Sequence, residues 1–218
     1  MNEFILYSYF RSSASYRVRI ALNLKDIAFE YRAIHLLNNG GEQNQEDYRK
    51  LNPSGEVPTL VHNGRALAQS MAILDYLDHV APTPRLFPED PYRRALVIQA
   101  CEIVNSGVQP VHNLKVLQLL EERFDADQKR KNDWAAHWIT KGLDSLEAFL
   151  KPHAGDFSFG HEVSAADCFL MPHLVNADRF QVSLAPYSTL SRIRANCEKL
   201  DPFKRAAPNV QPDTPPNV

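Results

Sequence analysis

The chain has no cysteine before residue 101 and only three in all, Cys101, Cys168 and Cys197, with no CxxC pair. That counts against a dithiol redox centre, a zinc knuckle and a disulfide framework, and it suits a reducing, cytoplasmic setting. Long apolar runs are also missing. No stretch of 18 or more uninterrupted apolar residues occurs, so no membrane span is expected. The opening residues Met1-Asn2-Glu3-Phe4-Ile5-Leu6 lack the basic region and long apolar run of a secretory signal. Nor does one sign of charge dominate: 24 Lys and Arg face 26 Asp and Glu, a formal net charge of −2. Nucleic acid is therefore not an expected partner. The eight histidines show no HxxxH or HExxH spacing, so no metal site is expected.

What is present is an ordinary globular composition, 44% hydrophobic and 23% charged over 218 residues. That length suffices for one large domain or two small ones with a real core. Residues 4–9 read as a short aromatic strand. The hydroxyl cluster Ser12-Ser13-Ala14-Ser15 precedes Val18, Ala21 and Leu22 at helical spacing, a helix-start signal. Residues 29–34 alternate as a second strand, and a short polar helix is expected near 47–51 after Gly40-Gly41. Two apolar runs, 57–61 and 65–68, flank Asn63-Gly64 and predict a hairpin. Ser70 reads as the N-cap of a helix through Met71, Leu74 and Leu77. Beyond a proline-rich stretch the pattern is helical over 93–107, 111–124, 128–150 and 165–175, with a capping-box-like Ser164-Ala165-Ala166-Asp167. The tail from residue 208 holds four prolines and is expected to be irregular. The pattern thus divides into an α/β domain over 1–81, a Pro-rich linker over 82–90 and an all-α domain over 91–218.

Several of these motifs can carry chemistry. A helix N-terminus presents free N–H groups and partial positive charge, which stabilise a thiolate. The chain has no cysteine near Ser12, so a ligand must bring any thiolate that works there. The alternative is a cap without chemistry. Val57-Pro58 is a strand-start proline, trans by default. A cis bond there would offer the Val57 N–H and C=O to a peptide-like ligand. Gln69-Ser70 could hold a carboxylate at a helix start, or merely cap it. Arg11 and Arg179 suit carboxylate recognition, with Lys115 adding a point charge, although solvated surface charge is the usual fate of such residues. The three cysteines sit in apolar helical stretches and read as core.

Taken together, these residues resemble the zeta class of glutathione transferases. The strongest stretch is Tyr7-Ser8-Tyr9-Phe10-Arg11-Ser12-Ser13-Ala14-Ser15-Tyr16-Arg17-Val18-Arg19-Ile20-Ala21-Leu22. Leu51-Asn52-Pro53, Val57-Pro58-Thr59-Leu60, Gln69-Ser70, Gln109-Pro110, Asn113-Leu114, Asn176-Ala177-Asp178-Arg179-Phe180 and Gln211-Pro212-Asp213-Thr214-Pro215 match as well. The resemblance implies a thioredoxin-like N-terminal domain, an all-helical C-terminal domain, a homodimer and glutathione as cofactor. It would make Ser12, with Ser13 beside it, the catalytic pair holding the glutathione thiolate. Val57 and Pro58 would pair with the tripeptide, Gln69 and Ser70 would hold its γ-glutamyl end, and Gln43, Gln109 and Asn113 would complete the cradle. Arg11, Lys115 and Arg179 would face an acidic substrate.

The family's usual motif has cysteine where this chain has Ala14. The implied activity is glutathione-dependent cis–trans isomerisation of maleylacetoacetate in tyrosine and phenylalanine catabolism. A basic residue at Lys115 resembles the maleylpyruvate branch. A transferase for other electrophiles and a non-catalytic glutathione-binding scaffold are the remaining alternatives, and the cationic residues disfavour an apolar substrate.

Overall fold

Alternating burial builds the first layer of the computed structural model, which describes residues 3–216. Residues 1 and 2 of the expected first domain, and 217 and 218 of the expected tail, lie outside the described residues. In β1 (Phe4–Ser8), Phe4, Leu6 and Ser8 are buried while Ile5 and Tyr7 are half-buried. β1 pairs in parallel with β2 (Glu30–Ala33) and antiparallel with β3 (Thr59–His62), which pairs antiparallel with β4 (Arg65–Ala68). The strand order is β2-β1-β3-β4. The parallel pair requires a crossover, which α1 (Ser13–Leu24) supplies. The β3–β4 hairpin turns at Asn63 and Gly64, both at positive φ (51° and 77°), the conformation that Asn-Gly favours.

α1 buries Val18, Ile20, Ala21 and Leu22 completely, and α3 (Ser70–Val80) buries Ile73, Leu74 and Leu77. A short α2 (Glu46–Leu51) lies between β2 and β3. Lys25, just past α1, donates to Asp78 of α3 (2.9 Å) and to the Ala81 and Pro84 carbonyls, so its buried ammonium is fully partnered. These elements form one unit, residues up to 86 together with those from 198 onward. The later segment contributes α9 (Asp201–Ala206), which packs on α1, and a tail that forms a 3-10 turn over Pro208–Val210 and then runs irregularly.

The second unit, Phe87–Cys197, is helical. It contains α4 (Pro91–Asn105), α5 (Leu114–Phe124), α6 (Gln128–Leu150), α7 (Ala165–Arg179) and α8 (Ser188–Cys197). α4 packs on α7, and α6 packs on α4, α7 and α8. Side-chain caps start the helices: Asp90 before Pro91, Asn113 for α5 and Asp127 for α6. At α7 the expected capping box forms. The Asp167 carboxylate accepts from the N–H and hydroxyl of both Ser158 and Ser164. Glu147 of α6 closes the start of α8 by accepting the Thr189 and Leu190 N–H groups (both 3.1 Å). Among the described residues the three cysteines form no disulfide, and all are buried, as their apolar surroundings predict. Among the described residues, no helix is long and apolar enough to cross a membrane.

Candidate functional site

Strand direction gathers the sequence-derived candidates at one end of the first unit's sheet. β1 and β4 run parallel to each other, with antiparallel β3 between them. The exit from β1 toward Ser12, the approach of Val57 to β3 and the exit from β4 toward Gln69 therefore share an end. A small apolar cluster of Tyr9, Phe10, Tyr48 and Val57 joins them, with Leu36 packed against it.

Ser12 is the N-cap of α1, with extended backbone (φ −68°, ψ 117°). Its Oγ accepts from the Ser15 N–H (3.1 Å), its N–H donates to the Tyr9 carbonyl (3.0 Å), and its carbonyl accepts from Tyr16 (2.9 Å). The Ser12 hydroxyl hydrogen remains uncommitted, as do the Ser13 and Ala14 N–H groups, among the described residues. The first turn of α1 carries no acidic side chain to neutralise the helix charge. Ser12 and Ser13 are half-buried, so a ligand atom can reach them. Arg11 beside them is exposed, its guanidinium 5.1 Å from the Phe10 ring centre.

The Val57–Pro58 peptide is cis, correcting the trans default. The loop before it is pinned by side-chain bonds that the sequence pattern does not announce: Tyr48 Oη (2.6 Å) and Asn52 Nδ2 (2.7 Å) both donate to the Glu56 carbonyl. Burial pushes the Tyr48 phenol up to about 12, so it remains a donor at neutral pH. Neither the N–H nor the C=O of Val57 has a hydrogen-bond partner among the described residues. That leaves a short open strand edge.

At α3 the expectation of a Ser70 N-cap is corrected. Gln69 is the N-cap, at φ 71°, and Ser70 is the first helical residue. The Ser70 hydroxyl is occupied by Arg17 of α1, whose Nη1 donates to it at 3.0 Å. What α3 offers a carboxylate is backbone: the Ser70, Met71 and Ala72 N–H groups have no partner among the described residues. Gln43 lies in the loop after β2. Its Nε2 donates to the Leu36 carbonyl (3.3 Å), and its Oε1 is buried without a hydrogen-bond partner among the described residues. Gly41, at φ 91°, lies so close that any Cβ there would overlap the Gln43 amide.

The other candidates belong to the second unit. Gln109 opens a 3-10 turn, Gln109–His112, and Asn113 caps α5 through Oδ1 (3.3 Å from the Val116 N–H). Lys115 is exposed on the first turn of α5. Arg179 ends α7, exposed, with its guanidinium 5.0 Å from the Phe180 ring centre. His112 meets Phe180 edge-on (6.3 Å), and Trp134 of α6 donates to the Val111 carbonyl (2.7 Å). The Gln109–Asn113 turn, α6 and the end of α7 are thereby brought together. Arg179, Phe180 and Gln181 line a cavity of about 370 Å³ with Lys129, Asn132 and Asp133 of α6. Sequence reasoning gave no role to Arg19 or Asp213, which hold the backbone of the turn before Ser12; both lie in stretches that matched the family. No group of His, Cys, Asp and Glu among the described residues could hold a metal ion.

Known proteins resemble this chain over nearly its whole length. The family model for the glutathione S-transferase N-terminal domain matches residues 11–80. The chain is 43% identical to the maleylacetoacetate isomerase of Dictyostelium discoideum over 215 residues, 99% of this chain and 98% of that one. A solved holo maleyl pyruvate isomerase, described as a bacterial zeta-class glutathione S-transferase, superposes with a TM-score of 0.93 at 41% identity, covering 97% of this chain and all of that one. The maleylacetoacetate isomerase of Anaeromyxobacter dehalogenans 2CP-1, solved with dicarboxyethyl glutathione and citrate in its active site, is similar at a TM-score of 0.86 and 43% identity, over 99% of this chain and 95% of that one.

Proposed function

Since the chain belongs to the zeta class of glutathione S-transferases, we propose that it uses glutathione to isomerise the cis double bond of a maleyl dicarboxylic acid. The observation that carries this reading is the unsatisfied start of α1: a capping serine whose hydroxyl hydrogen, like two N–H groups beside it, has no partner among the described residues, and no acid or cysteine next to them in the sequence. Such an end is suited to an anion brought by a ligand. Glutathione supplies that anion as a thiolate.

Ser12 donates its hydroxyl hydrogen to the glutathione sulfur, and the α1 N-terminus lowers the thiol pKa. Ser13 supplies a further N–H. The tripeptide lies along the open edge at Val57, next to Pro58. The free N–H groups behind Gln69 take its γ-glutamyl carboxylate, and the buried Gln43 Oε1 accepts from a glutathione N–H. Gln109 and Asn113 are carried over from the resemblance as further glutathione contacts, and the Asn113 Nδ2 remains available because the cap uses only Oδ1.

The reaction needs no net glutathione. The thiolate adds to one alkene carbon, and the electron pair of the double bond moves onto the conjugated carbonyl as an enolate. The former double bond, now single, rotates. Collapse of the enolate expels the thiolate and leaves the trans isomer. Arg11, Arg179 and Lys115 bind the substrate carboxylates and oppose the enolate charge; such preorganised donors are typically worth several kcal/mol of barrier. The solved relative with dicarboxyethyl glutathione and citrate supports a site that takes carboxylate-bearing groups beside sulfur.

The finer assignment is maleylacetoacetate to fumarylacetoacetate, in tyrosine and phenylalanine breakdown, by a cytoplasmic homodimer. Maleylpyruvate is the second substrate reading, favoured by exposed Lys115 on α5. Both diacids would be added to the purified protein with and without glutathione, and loss of the cis isomer followed by absorbance. Glutathione-dependent conversion is expected, and the ratio of rates assigns the substrate. Absence of conversion of either, with glutathione bound, contradicts the isomerase and leaves a transferase for other electrophiles or a scaffold.

A further inference from the structure

We infer that Asp213, in the tail after α9, is a positioning residue that works with Arg19 to hold Ser12 in register for the thiolate. The inference rests on the proposed glutathione chemistry at Ser12 and concerns residues to which that chemistry assigns no role.

The turn from Tyr9 to Ser12 connects β1 to α1 and carries both Arg11 and Ser12. One bond of its own closes it, Ser12 N–H to the Tyr9 carbonyl (3.0 Å). Two charged side chains hold the rest. Arg19, wholly buried on α1, donates from Nη2 to the Phe10 carbonyl (3.0 Å) and from Nη1 to the Tyr9 carbonyl (3.3 Å) and Ser8 Oγ (3.1 Å). Asp213 Oδ2 accepts the Phe10 N–H at 2.9 Å. The peptide groups on both sides of Phe10 are thereby gripped from opposite sides, by a cation on the oxygens and an anion on the nitrogen.

Both grips are themselves anchored. Arg19 Nε donates to the Ala206 carbonyl (2.9 Å), at the end of α9. The second Asp213 oxygen accepts from Tyr31 of β2 (2.6 Å). The tail presents Asp213 as a folded loop: Gln211 Nε2 donates to the Arg205 and Ala207 carbonyls (2.9 and 2.8 Å), and the Thr214 N–H donates to the Gln211 carbonyl (3.0 Å). Burial lowers Arg19 to about 10, which leaves it charged at neutral pH. Burial, and then the bond to Asp213, push the Tyr31 phenol upward and keep it a donor. Arginine is required because its planar fork spans two carbonyls at once.

A hydrogen bond to sulfur depends on distance and angle, and a displacement of about 1 Å at a reacting group can cost on the order of a hundredfold in rate. Phe10 is two residues from Ser12, so slack at its N–H passes directly to the Ser12 Oγ. Asp213 touches neither the thiolate nor the helix N–H groups that serve it.

The test compares Asp213→Ala and Asp213→Asn with Asn23→Ala. Asn23 ties α1 to the Pro202 carbonyl (3.3 Å), an anchor in the same unit that does not touch the turn. Each variant is assayed for kcat, for KM toward glutathione, for melting temperature and for amide hydrogen exchange at Ser12. In Asp213→Ala, kcat should fall about tenfold or more and Ser12 exchange should quicken, while KM for glutathione stays within about threefold. Asn23→Ala should keep its kcat whatever its melting temperature. An Asp213→Ala enzyme with kcat within about twofold of the parent overturns the inference, as does a loss of kcat shared equally with Asn23→Ala. Should Asp213→Ala not fold, Tyr31→Phe, which removes one of the two donors to Asp213, must show the same effects in milder form, and a normal kcat there counts against the inference. If the parent protein turns over no maleyl diacid, the proposed function fails by itself, and Ser12 amide exchange still reports on the clamp.

Discussion

Helices α1 and α7 each begin with a serine cap, and the two caps are committed to different degrees. At the start of α7 the serine hydroxyls are committed: the Asp167 carboxylate takes four donors from Ser158 and Ser164, out of contact with solvent. Both starts leave their first two N–H groups without partners among the described residues, but at α1 Ser12 accepts a single N–H and its own hydroxyl hydrogen has no partner among the described residues either. The closed cap contributes to stability. The open one leaves polar capacity for a ligand and gives up the stability that filling it would bring.

The largest expected effect tests the closed cap. Asp167→Ala strands four buried donors, and the second unit should lose about 3–5 kcal/mol by urea unfolding. A loss below about 1 kcal/mol would mean that the donors find other partners. Ser12→Ala tests the open cap. It should lower kcat by about a hundredfold to a thousandfold while glutathione still binds, and cost only about 1 kcal/mol of stability. Full turnover in that variant removes Ser12 from the mechanism.

The contrast was partly legible in the sequence. Both serine clusters read as helix starts because capping is local, and so did the Asn63-Gly64 hairpin. What the sequence hid is tertiary. Ser70 looks like a cap, but Arg17, 53 positions earlier, takes its hydroxyl, and Gln69 in a left-handed conformation caps instead. α8 and α9 gave no clear signal; the start of α8 is closed by Glu147 from α6. Asp213 is 203 positions from the Phe10 N–H that it accepts. Candidate ligand residues were readable by type, yet the gathering of Ser12, Val57 and Gln69 at one sheet end follows from strand pairing alone.

Alkaline pH should loosen both units through different groups. Tyr48 in the first unit and Tyr187 in the second are each pushed up to about 12 by burial first, and Tyr187 next by its bond to Asp144. A phenol raised in the folded state contributes stability in full below its unfolded pKa of about 10, and that contribution disappears as pH climbs through about 12. Melting temperature should thus decline between these values, less steeply in Tyr48→Phe and Tyr187→Phe. The smallest effect belongs to Ala14→Cys, which restores the family's usual residue: the thiol adds no charge that the reaction needs, so the isomerisation kcat should stay within about twofold.

The claim that the open start of α1 exists to ionise a ligand's thiol is tested most directly by titrating bound glutathione, following thiolate absorbance in the ultraviolet. In the parent protein the bound thiol should titrate at least about one unit below free glutathione, and in Ser12→Ala it should move back toward the free value. A bound thiol that titrates like free glutathione would contradict the account.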